Sequence, residues 1–170
     1  MTNKLKYFIG NWKMFGDFGS FKIINKINKF SLKYKKRIVK KKIILCVPNV
    51  LIHFFNKKLK SKSISLGVQN CHQHQGSGPF TGSVNAEMLK KAGAEYIILG
   101  HSENRMEGET NKLIKEKINS ALKQKITVIY CIGETLKEKR KKLTHSVFKK
   151  QINRGLKSVK NYRNVLVAYE

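Results

Sequence analysis

The 170-residue chain carries 36 lysines and arginines against 10 aspartates and glutamates, a formal net charge of +26 at pH 7. With 41% hydrophobic and 27% charged residues it holds enough apolar material for one domain with a core, which excludes a disordered polyelectrolyte. Such a charge raises nucleic acid or an anionic membrane as partner. The only arginines, however, are Arg37, Arg105, Arg140, Arg154 and Arg163, and the lysines are spread along most of the chain, so adhesion to polyanions at low salt is expected and specific nucleic-acid recognition is not.

The longest apolar region, 43–55, is broken by Pro48, Asn49 and His53, which leaves no membrane-spanning run and no membrane partner. Residues 1–13 lack a long apolar segment and a small-residue cleavage site, so no signal peptide is read and the cytoplasm is the expected compartment. Cys46, Cys71 and Cys131 are few, odd in number and without a CxxC pair, which suits reduced thiols better than a disulfide framework or a zinc site.

In chain order, residues 6–13 alternate as a strand, with Tyr7, Ile9, Asn11 and Lys13 on one face and Phe8, Gly10 and Trp12 on the other. Residues 21–34 place Ile23, Ile27, Phe30 and Tyr34 at helical spacing, with Ser20 as the N-cap. A strand at 43–47 stops at Pro48-Asn49, a helix follows near 51–57, and a third strand covers 65–69. A glycine-rich loop then leads to a helix over 84–92 and to the fourth strand, 96–99. Beyond it come a helix near 109–122 with Leu113, Ile114, Ile118 and Leu122 on one side, a fifth strand at 126–132, a long basic helix at 144–159 and a sixth strand at 165–168. Six buried strands joined by helical crossovers predict an α/β chain with a parallel sheet.

Functional groups in such an array collect at the carboxyl ends of the strands. Those ends carry Asn11 and Lys13, Gln69 and Asn70, His101 and Glu103, Cys131 and Glu134, and finally Glu170. His101 sits where the buried run 96–99 gives way to Gly100 and a helix start; taken alone that pattern favours a capping or core histidine. A cation, a histidine and a carboxylate from three different strand ends instead suit proton transfer beside a carbonyl.

The motifs GNWKM (10–14), GVQN (67–70), GPFTG (78–82), AEMLKKAGAEYIILGHSENR (86–105), GET (108–110), CIGET (131–135) and VAYE (167–170) together resemble the triosephosphate isomerase family, in its order and close to its spacing. The resemblance runs from about Tyr7 to Glu170. It implies the first six units of a (β/α)8 TIM barrel, no metal or organic cofactor, a homodimer, and glyceraldehyde 3-phosphate and dihydroxyacetone phosphate as substrates. It implies further that Asn11 and Lys13 contact substrate, that His101 is the electrophile and Glu170 the base, and that Glu103 supports Lys13. The glutamate base with a neutral histidine is a pairing this family itself exemplifies. Cys131 matches a packing cysteine near the site, and Thr81 matches the tip of a loop that enters the partner subunit. That loop also holds Cys71-His72-Gln73-His74, a His-x-His pair for which metal binding is not expected.

Members of the family continue past the glutamate with a mobile lid and two further βα units whose glycine-rich turns hold the phosphate; the last residue here is Glu170. The expectation is one incomplete barrel domain over 1–170, lacking that lid and those units, which alone is inactive or weakly active. A non-catalytic remnant or a basic polyanion-binding protein on the same scaffold is the alternative. Ser83 and Asn104 stand where the family often has Glu and Arg, two departures of opposite charge near the dimer contact.

Overall fold

The computed structural model describes residues 5–34, 40–60 and 62–170. Six strands, β1 (Lys6–Asn11), β2 (Lys41–Cys46), β3 (Ser65–Val68), β4 (Tyr96–Leu99), β5 (Thr127–Ile132) and β6 (Val165–Tyr169), form one parallel sheet in the order β1-β2-β3-β4-β5-β6. Helices make every crossover: α1 (Phe21–Lys33), α2 (Asn49–Lys58) and α3 (Ala86–Ala92), then α4 (Ser102–Met106) with α5 (Asn111–Lys123), and α6 (Leu136–Arg140) with α7 (Thr144–Gly155). A sequential, all-parallel order is the wall of a barrel. The wall is curled: β2 and β4, on either side of β3, bring Cα atoms within 8 Å, closer than the roughly 9.5 Å of a flat sheet.

Period-two alternation builds two cores. Leu45, Ile97, Leu99, Val128 and Tyr130 face the helices and join Ile52, Phe55, Leu89, Ile114 and Ile118. Ile44, Cys46, Tyr96, Ile98, Ile129 and Cys131 face the concave side as a smaller cluster. Both faces of β4 are therefore buried, which is why its sequence is an unbroken apolar run. Truncating Ile97, fully buried, to alanine is expected to cost about 2–5 kcal/mol.

Several expectations are corrected. Burial is deep in β2–β5 and not in all six strands: Phe8 at 56% and Tyr169 at 60% exposure mark β1 and β6 as the open edges that an incomplete barrel implies, each with one strand neighbour among the described residues. The helical stripe of α1 is Ile24, Asn28 and Ser31, while Ile23 and Phe30 are exposed. Polar residues occupy that stripe because they meet backbone: Asn28 Oδ1 accepts from the Ser63 N–H at 2.9 Å, and Ser31 Oγ donates to the Ser63 carbonyl at 3.3 Å. Ser20 does not cap α1; its hydroxyl turns back to Asp17, closing a reciprocal capping box around the short 3-10 turn Phe18–Ser20. The basic helix ends at Gly155, short of Val159, and the one-turn helices α4 and α6 were not separated by the apolar pattern. No helix among the described residues is long and apolar enough to cross a membrane.

Candidate active site

Strand β1 ends at Asn11, so Lys13 does not continue its alternating face as the pattern predicted. Lys13 lies in the turn beyond at φ +52, a left-handed conformation that costs a side-chain-bearing residue about 1 kcal/mol or more. Asn11 stabilises that turn, its Oδ1 accepting the Lys13 N–H at 3.0 Å. Trp12 packs behind, edge-on to Phe55. From this turn Lys13 Nζ reaches Glu103 Oε1 at 2.8 Å. The hydrogen bond and the opposite charge raise the Lys13 pKa above its ordinary value and lower that of Glu103.

β4 delivers His101. Gly100 at φ +76 turns the chain out of the sheet in a conformation that favours glycine, and a Cβ there would stand 3.0–3.1 Å from the Arg105 guanidinium, the Cys131 carbonyl and the Tyr130 ring. Arg105 braces the turn: Nε donates to the Gly100 carbonyl at 2.7 Å, one Nη to Asn111 Oδ1 at 2.7 Å and the other to the Cys131 carbonyl at 3.2 Å. The ends of β4 and β5 are thereby tied together. His101 caps α4, its Nδ1 accepting the backbone N–H of Glu103 at 3.3 Å. A nitrogen that accepts carries no proton, so the ring proton sits on Nε2. Glu103 Oε2 lies 3.4 Å from the same Nδ1. That carboxylate is already engaged with Lys13, and the fixed backbone donor decides the tautomer.

β6 brings Glu170 to the other side of the ring. The Glu170 N–H extends the ladder to the Ile132 carbonyl at 3.0 Å. Its Oε2 accepts the Ser102 N–H at 2.9 Å, and its Oε1 lies 3.0 Å from His101 Nε2. Cys131 lies beneath: burial first, then the negative charge and hydrogen bond of Glu170, push its thiol pKa far up. The thiol packs in the concave-face cluster with Ile98 and Ile129.

An open cavity of about 840 Å³ lies at this end of the sheet, lined by Asn11, Lys13, Gln69, His101 and Glu103 among others. Glu170 is not part of its lining but touches His101, which is. The structure thus brings Asn11, Lys13, His101, Glu103, Cys131 and Glu170 to one end of the sheet from β1, β4, β5 and β6.

Other strand-end residues serve the frame. Gln69 Nε2 donates to the Cys46 carbonyl at 3.1 Å. Asn70 joins a buried cluster, its Nδ2 donating to Glu109 at 3.1 Å and its Oδ1 accepting from Lys117 Nζ at 3.0 Å, while Lys117 also pairs with Glu109. Glu134 is turned to the Thr144 hydroxyl at 3.0 Å and the Tyr169 hydroxyl at 3.3 Å. Thr81 lies in an exposed turn far along the 70–85 loop, where the rings of His72 and His74 each lie tilted against Phe80 at 4.6 Å between ring centres.

A family model described as triosephosphate isomerase matches residues 6–170. The chain belongs to the triosephosphate isomerase family. It is 36% identical over 165 residues to the enzyme of that name from Alkaliphilus metalliredigens, covering 95% of this chain and 64% of the relative. To the Saccharomyces cerevisiae one it is 37% identical over 163 residues, covering 95% and 63%. The crystal structure of triosephosphate isomerase from Bartonella henselae superposes with a TM-score of 0.87 at 32% identity, over 96% of this chain and 66% of that one. The chain therefore spans somewhat under two thirds of the length of these curated relatives, and its sheet is a partial TIM barrel.

Triosephosphate isomerase motifs located His101, Glu103 and Glu170, but not the groups that hold them. Arg105, the Ser102 N–H and Gln151, which grips Gly133 through both amide atoms, were missed. Arg105 carried a signal, being one of five arginines in a lysine-rich chain and sitting inside a motif. Gln151 carried none.

Proposed function

We propose that these residues carry the proton-transfer chemistry of triosephosphate isomerase, interconverting glyceraldehyde 3-phosphate and dihydroxyacetone phosphate. The observation that supports this best is the convergence of Lys13, His101 and Glu170 from three strands, with His101 Nε2 presenting its proton toward Glu170 Oε1 at 3.0 Å. A substrate oxygen taking the place of Oε1 on Nε2 receives that hydrogen bond. The carboxylate then removes a proton from the adjacent carbon, giving an enediolate; His101 gives its Nε2 proton to the former carbonyl oxygen and takes one from the neighbouring hydroxyl, and the carboxylate returns its proton to the neighbouring carbon. Lys13 places positive charge where the oxygen becomes negative and where the substrate's phosphate approaches. Asn11 keeps Lys13 in its left-handed turn, and Glu103 aims its ammonium. The buried Cys131 thiol fills the space under the base without taking part.

The relatives' remaining third is needed, on this reading, to close the sheet between β6 and β1 and to cover the reaction from water. The 170 residues alone therefore turn over slowly or not at all. The family likeness also implies a homodimer in which the Thr81 loop enters a second copy; Met14 and Phe15, exposed beside Lys13, fit such a contact.

The test is a coupled isomerase assay on these 170 residues joined to the C-terminal third of the Saccharomyces relative. Glu170→Asp, which withdraws the carboxylate by one methylene, is expected to cost about a hundredfold or more in kcat. His101→Gln is expected to cost about 10²–10⁴. Turnover unchanged by Lys13→Ala, His101→Gln and Glu170→Asp would contradict the mechanism.

A further inference from the structure

A second cleft, sharing no lining residue with the Lys13–His101 cavity, runs between α5 and α7 with a volume of about 560 Å³. Lys112 and Lys115 line it from α5, Lys150 and Arg154 from α7, Lys157 from just past the end of α7, and Arg105 from α4. The two helices pack against each other, and Asn119 Nδ2 of α5 donates to Ser158 Oγ, in the turn after α7, at 3.0 Å. Offsets of three and four residues put each set on one helix face, so two rows of cations flank the same groove.

Their charges are uncompensated. Glu109 is the one carboxylate of the lining; its Oε1 is bound to Lys117 and Asn70, and its Oε2 is buried. Arg105 is committed to the Gly100 and Cys131 carbonyls and to Asn111. None of Lys112, Lys115, Lys150, Arg154 and Lys157 makes an ion pair among the described residues. Glu138 feels Lys150 only as the last of the influences on its carboxyl, and Glu116 of α5 does not line the groove. Five like charges around one concave surface repel one another, and a groove of one sign concentrates counter-ions.

We infer that this groove binds the phosphodiester backbone of a nucleic acid through its phosphates, without reading bases. Lys150 and Arg154 lie about 6 Å apart along the axis of α7, close to the rise of two successive phosphate steps on one strand, and Lys157 extends the row past the helix end. No aromatic ring lines the groove to stack a base, and Asn111 already accepts a hydrogen bond from Arg105. The lining offers no apolar side chain to enter a bilayer, which favours a nucleic acid over a lipid surface.

The comparison that decides is between two triple variants with equal loss of charge. Lys150→Gln/Arg154→Gln/Lys157→Gln removes one wall of the groove. Lys22→Gln/Lys26→Gln/Lys29→Gln removes a row of the same spacing from the open face of α1, where all three side chains are exposed. Binding of a fluorescent oligouridylate is followed by anisotropy across a salt series, with circular dichroism confirming that both variants keep the fold. At near-physiological ionic strength the wild-type chain is expected to bind, and the groove variant to lose about tenfold or more in affinity and about two units of salt slope, near 0.7 for each phosphate contact removed. The α1 variant stays within about threefold. Equal losses in the two variants overturn the proposal, as does a wild-type chain that releases RNA at that ionic strength. Retention on phosphatidylserine vesicles without RNA binding overturns it in favour of a membrane surface.

Discussion

Nε2 of His101 stands 3.0 Å from Oε1 of Glu170, while Nδ1 of the same ring accepts the Glu103 N–H at 3.3 Å. The two contacts place the ring between a donor that cannot move and a carboxylate that accepts, so the proton belongs on Nε2. Nitrogen-15 NMR of histidine-labelled protein is expected to show the Nε2–H tautomer for His101. An Nδ1–H tautomer, directed at Glu103 Oε2 at 3.4 Å, would show instead that the carboxylate governs the ring.

The Lys13–Glu103 pair defines a pH window. Glu103 has its pKa lowered from 4.5 chiefly by the Lys13 hydrogen bond, so its contribution is present above 4.5 and is lost as pH falls through the folded value. Lys13 has its pKa raised from 10.5 chiefly by the same bond, so its contribution is present below 10.5 and is lost as pH rises through the folded value. Both side chains are about half exposed, at 51% and 48%, and the solvent-screened pair adds little to global stability. The readout is therefore local: carbon-13 titration of the Glu103 carboxyl is expected to move up toward 4.5 in Lys13→Met. An unchanged titration would mean that the pair is not formed in solution.

Burial holds the three thiols in their neutral form. It raises Cys46 and Cys71 to about 12, and Cys131 rises further, with Glu170 adding to the effect of burial. An aromatic disulfide reagent at pH 8 is expected to label the native chain slowly at all three positions and the denatured chain at once. Rapid labelling of any one in the native state would contradict their placement.

Gln151 holds the turn after β5: its Oε1 accepts from the Gly133 N–H at 3.0 Å and its Nε2 donates to the Gly133 carbonyl at 2.8 Å. The turn has no slack, since a Cβ on Gly133 would stand 2.7 Å from the Glu170 carbonyl. Gln151→Leu leaves both Gly133 groups unpaired and is expected to lower urea-measured stability by about 1–3 kcal/mol. A change under about 0.5 kcal/mol would remove Gln151 from the account.

Lys117 and Glu109 are both nearly buried, with side chains 9% and 8% exposed. Removing one partner strands the other charge, so Lys117→Met is expected to cost about 3–5 kcal/mol. Adding Glu109→Gln should recover most of it; a double variant no better than the single would place the role of Lys117 in packing.

The strand frame was readable because β2 to β5 are buried on both faces and advertise it as continuous apolar runs, Tyr96–Leu99 most clearly. The exposure of β1 and β6 depends on what lies beside each strand, so the incompleteness of the barrel implied it and the local pattern did not. The stripe of α1 was misread because Asn28 and Ser31 are buried against the backbone at Ser63, a contact that hydrophobic periodicity does not register. At the site, motifs named Lys13, His101 and Glu170. The left-handed turn at Lys13, the Arg105 brace and the Gln151 grip are three-dimensional facts with no local pattern beyond a rare arginine.

The central claim is that Lys13, His101 and Glu170 supply a complete proton-transfer set. Solvent exchange tests it most directly: dihydroxyacetone phosphate is incubated in deuterated water with the 170 residues joined to the C-terminal third of the yeast relative. Deuterium is expected at the carbon next to the carbonyl in step with isomerisation, with both rates falling about a hundredfold or more in Glu170→Asp. A folded chimera that exchanges no deuterium, or one whose exchange is indifferent to Glu170→Asp, would contradict the claim.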